Sequence, residues 1–280
     1  VLHILPQEFI VDDQDGVQNP LGMAAARLEV NVHIVTGSVT SAQNIIKCCN
    51  QSGLDVEDIV LEPLSSSQAV LSPDEQEVGV VLVDIGGGTT DVTIYSEGSI
   101  VHTAVLALGG NHLTHDIAIG LGAPLHEAEE IKHNFGVAMT SMVKEDEMIE
   151  VPSVGGRNNR TMKKRVLASI IEDRFREIFE LIAHEIEKTH FHTLMASGVV
   201  ITGGTCIMPG ADQLASQVLN LPVRVGFPEN ISGLREMIYS PKYATSVGLV
   251  RYGITSNQGK LHFAGDDTNL FNKVSRRMKD

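Results

Sequence analysis

The residues with the clearest chemical content are Asp84-Ile85-Gly86-Gly87-Gly88-Thr89-Thr90-Asp91. Successive glycines let a backbone approach a bulky anion and turn its N–H groups toward phosphate oxygens, and the Thr89 hydroxyl adds a donor. Asp84, at the end of an apolar run, is placed to hold a hydrated Mg²⁺ beside those phosphates. The same residues could also form a glycine-rich hairpin turn with a solvated aspartate. They match neither the Walker lysine pattern nor the dinucleotide fingerprint. A second glycine turn, Thr202-Gly203-Gly204-Thr205, follows the apolar Val199-Val200-Ile201 and precedes a helical pattern. Alone it is an ordinary turn. Two such turns in one α/β chain point to a cleft holding both ends of a nucleotide, because open sheets bind ligands beyond the carboxyl ends of their strands.

Two basic features stand out in an acidic chain. Arg157, Arg160, Lys163, Lys164 and Arg165 gather at a helix entrance, where they either form a solvated face or attract an acidic peptide. At the end of the chain, Leu270, Phe271, Val274 and Met278 fall on one apolar arc at about 100° per residue. Lys273, Arg276, Arg277 and Lys279 lie outside that arc. The pattern fits a helix lying on anionic lipid, and equally a charged terminus. His112, His115 and Asp116, or His184, His190 and His192, lack a recognised metal-ligand spacing and read as helix-surface histidines.

The elements that must position these residues follow from hydrophobic period. Arg27 to Val35 alternates as a half-buried strand. A helix should follow, capped by Ser38 or Thr40, with Ala42, Ile45, Ile46 and Cys49 on one face and Gly53 as its stop. A serine-rich helical stretch ends near Leu71, and Ser72 to Glu77 reads as an acidic turn. Val78 to Asp84 is continuously apolar, the mark of a strand buried on both faces. Strands at Val92–Tyr95 and Ile100–Leu106 pair across a Ser-Glu-Gly-Ser turn. Helices are expected over Asn111–Leu121 and Leu125–Asn134, an edge strand over Glu147–Val154, and one long amphipathic helix or two in tandem from Thr161 to about Thr189. Strand Gly198–Thr202, helix Gly210–Leu219, strand Val223–Phe227 and helix Ala244–Tyr252 complete the pattern, and a polar linker follows Gly253. Alternating strands and helices predict an α/β fold with a sheet covered on both faces.

Composition bounds the function. The 280 residues are 42% hydrophobic and 20% charged, with a formal net charge of −14. That balance disfavours nucleic acid as a partner. Three cysteines, two of them adjacent, make no disulfide framework and indicate a reducing compartment. With no signal-like start and no apolar run of about 18 residues, the chain is expected neither to be secreted nor to span a bilayer.

Taken together, the two glycine turns resemble the second phosphate loop and the adenosine loop of the actin, heat-shock chaperone and sugar-kinase superfamily. Leu61-Glu62-Pro63 followed by Leu64-Ser65-Ser66-Ser67 resembles the Glu-Pro helix start of many members, with serines where alanines are usual. Ala128-Glu129-Glu130-Ile131-Lys132 resembles the helix whose Glu and Lys face adenosine. Within the superfamily, Leu5-Pro6-Gln7-Glu8-Phe9, Asn19-Pro20-Leu21-Gly22, Val151 to Arg157 and Asn230-Ile231-Ser232-Gly233-Leu234 are similar to signatures of the FtsA family of bacterial cell-division proteins. The resemblance implies actin-like (ribonuclease H-like) sheets with helices on both faces and an ATP and Mg²⁺ site. Asp84 would face the metal through water, Gly86, Gly87, Gly88 and Thr89 the phosphates, Glu129 and Lys132 the ribose and base, and Gly203 and Gly204 the adenosine. By spacing alone, Glu129 and Lys132 are an ordinary surface pair.

The family likeness further implies that the basic cluster docks the C-terminal peptide of FtsZ. The tail would begin a membrane-targeting helix, and protomers would associate as an actin-like filament on the cytoplasmic face of the membrane at the septum. No hydrolytic base is assigned, and at most a weak ATPase is implied. No Asp-x-Gly-Thr strand precedes Val78, so the chain is expected to lack the family's N-terminal portion. The expected organisation is 1–36, remainder of the inserted subdomain; 37–77, remainder of the first actin-like domain; and 78–253, the second, with the FtsZ-binding subdomain at about 137–195. Residues 254–268 would be a linker and 269–280 the tail. The competing reading is an ATP-dependent enzyme of the superfamily, a sugar kinase or chaperone ATPase. A chaperone would carry a peptide-binding domain after Gly253.

Overall fold

A computed structural model of the chain describes residues 1–153, 158–189, 196–233 and 235–259. Two compact units are present among the described residues, Glu62–Gly248 and a second formed by Val1–Leu61 with residues 249–259.

In the latter unit, β1 (His3–Val11), β2 (Gln14–Val17) and β3 (Leu28–Val35) form an antiparallel sheet in the order β2-β1-β3. The acidic turn between β1 and β2 is exposed, but Asp12 also has structural work. Its Oδ1 accepts from the amides of Ala26 and Arg27 at 2.9 and 2.8 Å. Helix α1 (Val39–Gln51) is capped by Ser38, and Gly53 takes a positive φ of 77° just beyond it. Its expected apolar face is only partly covered: Ala42, Ile46 and Cys49 are half-buried and Ile45 is exposed. Along β3, Leu28, Val30, Val32 and Ile34 share one face, and all four are exposed.

The other unit is built on a five-stranded sheet of order β10-β9-β4-β5-β6. Its strands are β4 (Val80–Ile85), β5 (Thr90–Ser96), β6 (Ser99–Leu106), β9 (Val199–Thr202) and β10 (Val223–Val225). β10, β9 and β4 are parallel, while β4, β5 and β6 run antiparallel. Every residue of β4 is buried, as its unbroken apolar run requires. Glu97 and Gly98 both have positive φ, the geometry that closes a two-residue hairpin between β5 and β6.

Around the sheet stand α2 (Glu62–Val70), α3 (Pro73–Val78), α4 (Gly110–Leu121), α5 (Leu125–Phe135), α6 (Lys164–Glu187), α7 (Ala211–Leu219), the short α8 (Arg235–Ile238) and α9 (Ala244–Gly259). One sheet face, carrying Val81, Val83, Ile85, Val92 and Ile94, joins the core formed with α4, α6 and α7. Helix α6 contributes Leu167, Ile171, Phe175, Ile178, Phe179 and Ile182, all fully buried, with the Phe175 and Phe179 rings stacked at 5.6 Å. Each such side chain stabilises the fold by about 1.5–3 kcal/mol. The opposite face meets α2, where the Tyr95 hydroxyl donates to Ser67 at 2.7 Å.

Three local expectations need correction. Ser72 to Val78 is a helix start rather than a turn: Ser72 and Glu75 form a capping box and Pro73 occupies the first turn. Arg224 then clamps Glu75 through two bonds of 2.7 Å. The long helix begins at Lys164, because Arg160–Lys163 forms a strand, β8, paired antiparallel with β7 (Met148–Val151). Helix α9 runs past Tyr252 to Gly259, so the polar composition after Gly253 does not end it. Val154 to Arg157 and the whole tail, including Leu270, Phe271, Val274 and Met278, lie outside the described residues.

Candidate nucleotide cleft

Beyond the carboxyl ends of β4 and β9 lies a cleft of about 630 Å³. Gly87, Gly110, Asn111, Glu129, Lys132, Gly204, Thr205 and Lys242 line it, with Ile207, Met208 and Pro209 as an apolar wall. The structure thus brings together residues that the sequence places on separate turns and helices. Gly86 closes its own turn by donating its amide to the Thr89 carbonyl at 2.9 Å. Its carbonyl accepts from the Gly110 amide and from the Thr205 hydroxyl, both at 2.9 Å. No acceptor among the described residues takes the N–H of Gly87, Gly88 or Thr89. A turn with several unspent amides is an anion cradle.

Gly203 has a φ of +91°, and a Cβ there would stand 2.5 Å from both Asp84 Oδ1 and the Ile85 carbonyl. Only glycine lets the second turn press on the first at this point. At the other end, Lys132 Nζ donates to the Gly110 carbonyl at 3.0 Å and the Thr114 hydroxyl at 2.8 Å, and pairs with Glu129 at 2.8 Å. The Thr114 hydroxyl also donates to Glu129, and His133 lies 3.0 Å from its other oxygen. Burial opposes ionisation of Glu129, yet the bonds from Lys132 and Thr114 outweigh it and hold its carboxyl below the ordinary value. Glu129 and Lys132 are therefore more than a surface pair: they tie α5 to the first turn of α4.

Sequence reasoning missed a second acidic group. Asp84 on β4 and Asp91 on β5 are direct cross-strand partners on the sheet face that meets α2. Asp84 is 4% exposed and Asp91 7%. Burial pushes the Asp84 pKa up to about 6, with the charge of Glu62 adding to it against the hydrogen bonds from Ser66 and Thr245. Asp91 rises to about 7 through burial and the charges of Glu62 and Asp84. An aspartate between apolar strand residues was the available signal. Among the described residues no three His, Cys, Asp or Glu side chains converge as ligands for a metal. A cation at this pair would thus take most of its ligands from water and phosphate.

The basic cluster is divided. The Arg160 guanidinium donates to the Leu121 and Gly122 carbonyls, capping α4, and Lys164 pairs with Glu147 at 2.8 Å. Lys163 and Arg165 are exposed beside exposed Val166. Arg157 lies outside the described residues. Of the histidine groupings, His112 Nδ1 accepts from the Gly109 amide at 3.2 Å, and Asp116 pairs with Arg174 at 2.5 Å.

A mixed sheet with two glycine turns facing one cleft defines an actin-like fold. The chain superposes on MreB5 of Spiroplasma citri bound to ADP with a TM-score of 0.66 at 14% identity, covering 93% of this chain and 91% of that one. It also superposes on the MamK double helical filament with a TM-score of 0.56 at 15% identity, covering 78% and 66%. The family model for "Cell division protein FtsA" matches residues 81–248, and that for the SHS2 domain inserted in FtsA matches residues 1–36. The chain belongs to the FtsA family. It is 46% identical over 254 residues to FtsA of Pseudomonas aeruginosa, covering 91% of this chain and 61% of that protein. With FtsA of Borreliella burgdorferi it shares 39% over 281 residues, covering 100% and 68%. The chain spans about three-fifths of the length of the first curated relatives it matches.

Proposed function

We propose that the chain forms the nucleotide-binding and docking part of an actin-like cell-division protein that binds ATP with Mg²⁺ and tethers FtsZ filaments to the membrane at the septum. The observation that carries the nucleotide reading is the convergence on one cleft of Gly87, whose amide is unspent, with Gly110, Gly204, Glu129, Lys132 and Lys242; the next two amides of the same turn, at Gly88 and Thr89, are unspent as well. The residues present fit the group. The cleft volume lies in the range of small-molecule sites, the amides offer donors to phosphate, and the buried Asp84–Asp91 pair carries charge that a cation would offset.

ATP with Mg²⁺ supplies a triphosphate whose terminal group can pass to water. The chain's residues would hold it. Gly86, Gly87, Gly88 and Thr89 bind phosphate, Asp84 orients hydrated metal, Glu129 and Lys132 hold the ribose end, and Gly203 and Gly204 with Met208 receive the base. Glu62, exposed at the start of α2, lies close enough for its charge to act on both Asp84 and Asp91. Exposed Lys163, Arg165 and Val166 support docking of an acidic and apolar FtsZ C-terminal peptide. Family membership supports filament self-association, anchoring through the tail on anionic lipid, and a place at the cytoplasmic face of the membrane.

Calorimetric titration of the whole protein with ATP in Mg²⁺ tests the reading: saturable binding is expected, abolished by Gly204→Val. Binding that survives this substitution, or none in the parent, rejects the cleft as the nucleotide site.

A further inference from the structure

Ser66 is fully buried on α2, and its hydroxyl carries one hydrogen. That hydrogen goes to Asp84 Oδ2, 2.6 Å away, the short distance expected of a hydroxyl on a carboxylate. The 3.0 Å contact between Ser66 Oγ and Thr245 Oγ1 can then exist only with Thr245 as donor. Thr245 Oγ1 also lies 3.3 Å from Glu62 Oε1 and 3.4 Å from Asp84 Oδ2, so its single hydrogen is shared among Ser66 and two carboxylate oxygens of the same cluster. Ser66 is therefore the near donor to Asp84 Oδ2, and Thr245 closes the same cluster from α9, within reach of both Ser66 and that oxygen. A Cβ on Gly203 would stand 2.5 Å from the other Asp84 oxygen, so the glycine leaves that oxygen uncrowded. Around this cluster the backbones are closely locked. Ser65 Oγ donates to the Thr245 carbonyl at 2.7 Å, and Gly248 lies so near the Ser65 carbonyl that a Cβ would not fit.

We propose that Ser66 and Thr245 are positioning residues for the cation: their hydroxyls, 2.6 and 3.4 Å from Asp84 Oδ2, pin that oxygen inward, so that the carboxylate presents a single rotamer to hydrated metal. The inference rests on the reading of the cleft as a Mg²⁺-nucleotide site. It makes the first turn of α9 part of the metal site.

The test follows the anisotropy of a fluorescent ATP analogue on the whole protein, in Mg²⁺ and in EDTA, for the parent, Ser66→Ala, Thr245→Val and Thr245→Ser. The parent should bind more tightly in Mg²⁺. Ser66→Ala and Thr245→Val should lose about tenfold in Mg²⁺, the low end of what outer partners of a metal ligand contribute, and stay within about twofold of the parent in EDTA. Thr245→Ser, which keeps the donor, should match the parent. Equal losses in both media, or a Thr245→Ser protein as weak as Thr245→Val, would overturn the positioning role while leaving the nucleotide reading intact. A parent that binds no analogue overturns both. Circular dichroism melts identify a variant that fails to fold; Thr245 is half-buried and valine matches its shape, so Thr245→Val decides if Ser66→Ala does not fold.

Discussion

The Thr205 hydroxyl donates to the Gly86 carbonyl at 2.9 Å, joining residues 119 apart in sequence. Through this bond, and through Gly203 pressed on Asp84, the two glycine turns form one rim rather than two independent loops. A ligand that touches either turn is therefore held by a shared backbone arrangement. Thr205→Val removes the bond with little change of volume, and should weaken nucleotide binding by about tenfold, the worth of roughly one hydrogen bond. Titration calorimetry beside a thermal melt separates this from unfolding.

Gly203→Ala should be more severe. An alanine at φ +91° is strained, and its Cβ would meet a carboxylate and a backbone carbonyl at 2.5 Å. A loss of about 2–3 kcal/mol in urea unfolding is expected from the backbone strain. Gly88→Ala, where a Cβ meets nothing within 4 Å, should be much milder.

Asp91 makes stability depend on pH. Its folded pKa of about 7 stands above the ordinary carboxylate value. The folded state therefore holds a proton that the unfolded chain has released, and stability falls as pH rises from about 4 to 7. Asp91→Asn should be nearly neutral at pH 4 and increasingly stabilising up to pH 7, levelling at about 1–3 kcal/mol. Urea titrations without nucleotide at several pH values measure this. A flat difference between parent and variant would contradict it.

Lys132 is 10% exposed in its side chain and holds three oxygens. Lys132→Met leaves Glu129 and the Gly110 carbonyl short of a donor, with an expected cost of about 1–3 kcal/mol even without ligand. Nucleotide affinity should fall as well. Glu129→Gln keeps a hydrogen-bonding oxygen and should lose less on both measures.

Charge reversal at Lys163 and Arg165 should weaken binding of a synthetic FtsZ C-terminal peptide by about tenfold and flatten its salt dependence, leaving the melting temperature unchanged. Lys164→Glu should instead lower the melting temperature, because it places like charge against Glu147. Anisotropy of labelled peptide at two salt concentrations distinguishes the two classes.

How much was legible follows from what each signal measures. The unbroken run of β4 and the three- and four-residue steps of α6 announce burial directly, and both elements form, although β4 begins two residues later and α6 three residues later than the pattern suggests. Glycine turns after apolar strands located the rim. The capping box at Ser72 was equally present in the letters, but Pro and Asp beside it imitate a turn. Strand β8 is hidden because four polar-flanked residues become a strand only by pairing with Ile149 and Val151. Asp91 as a site residue required the register that sets it opposite Asp84. The contact between the Ser66 and Thr245 hydroxyls joins positions nearly 180 residues apart, so spacing could not show it.

Leu28, Val30, Val32 and Ile34 give β3, the terminal strand of its sheet, an exposed greasy row. Such an edge is a template for sticking to other chains. In practical terms this chain should be limited by its colloidal behaviour before its folding: recovery and monodispersity should fall steeply with concentration, and a lysine in place of Val32 should do more for solubility than any repair of the core.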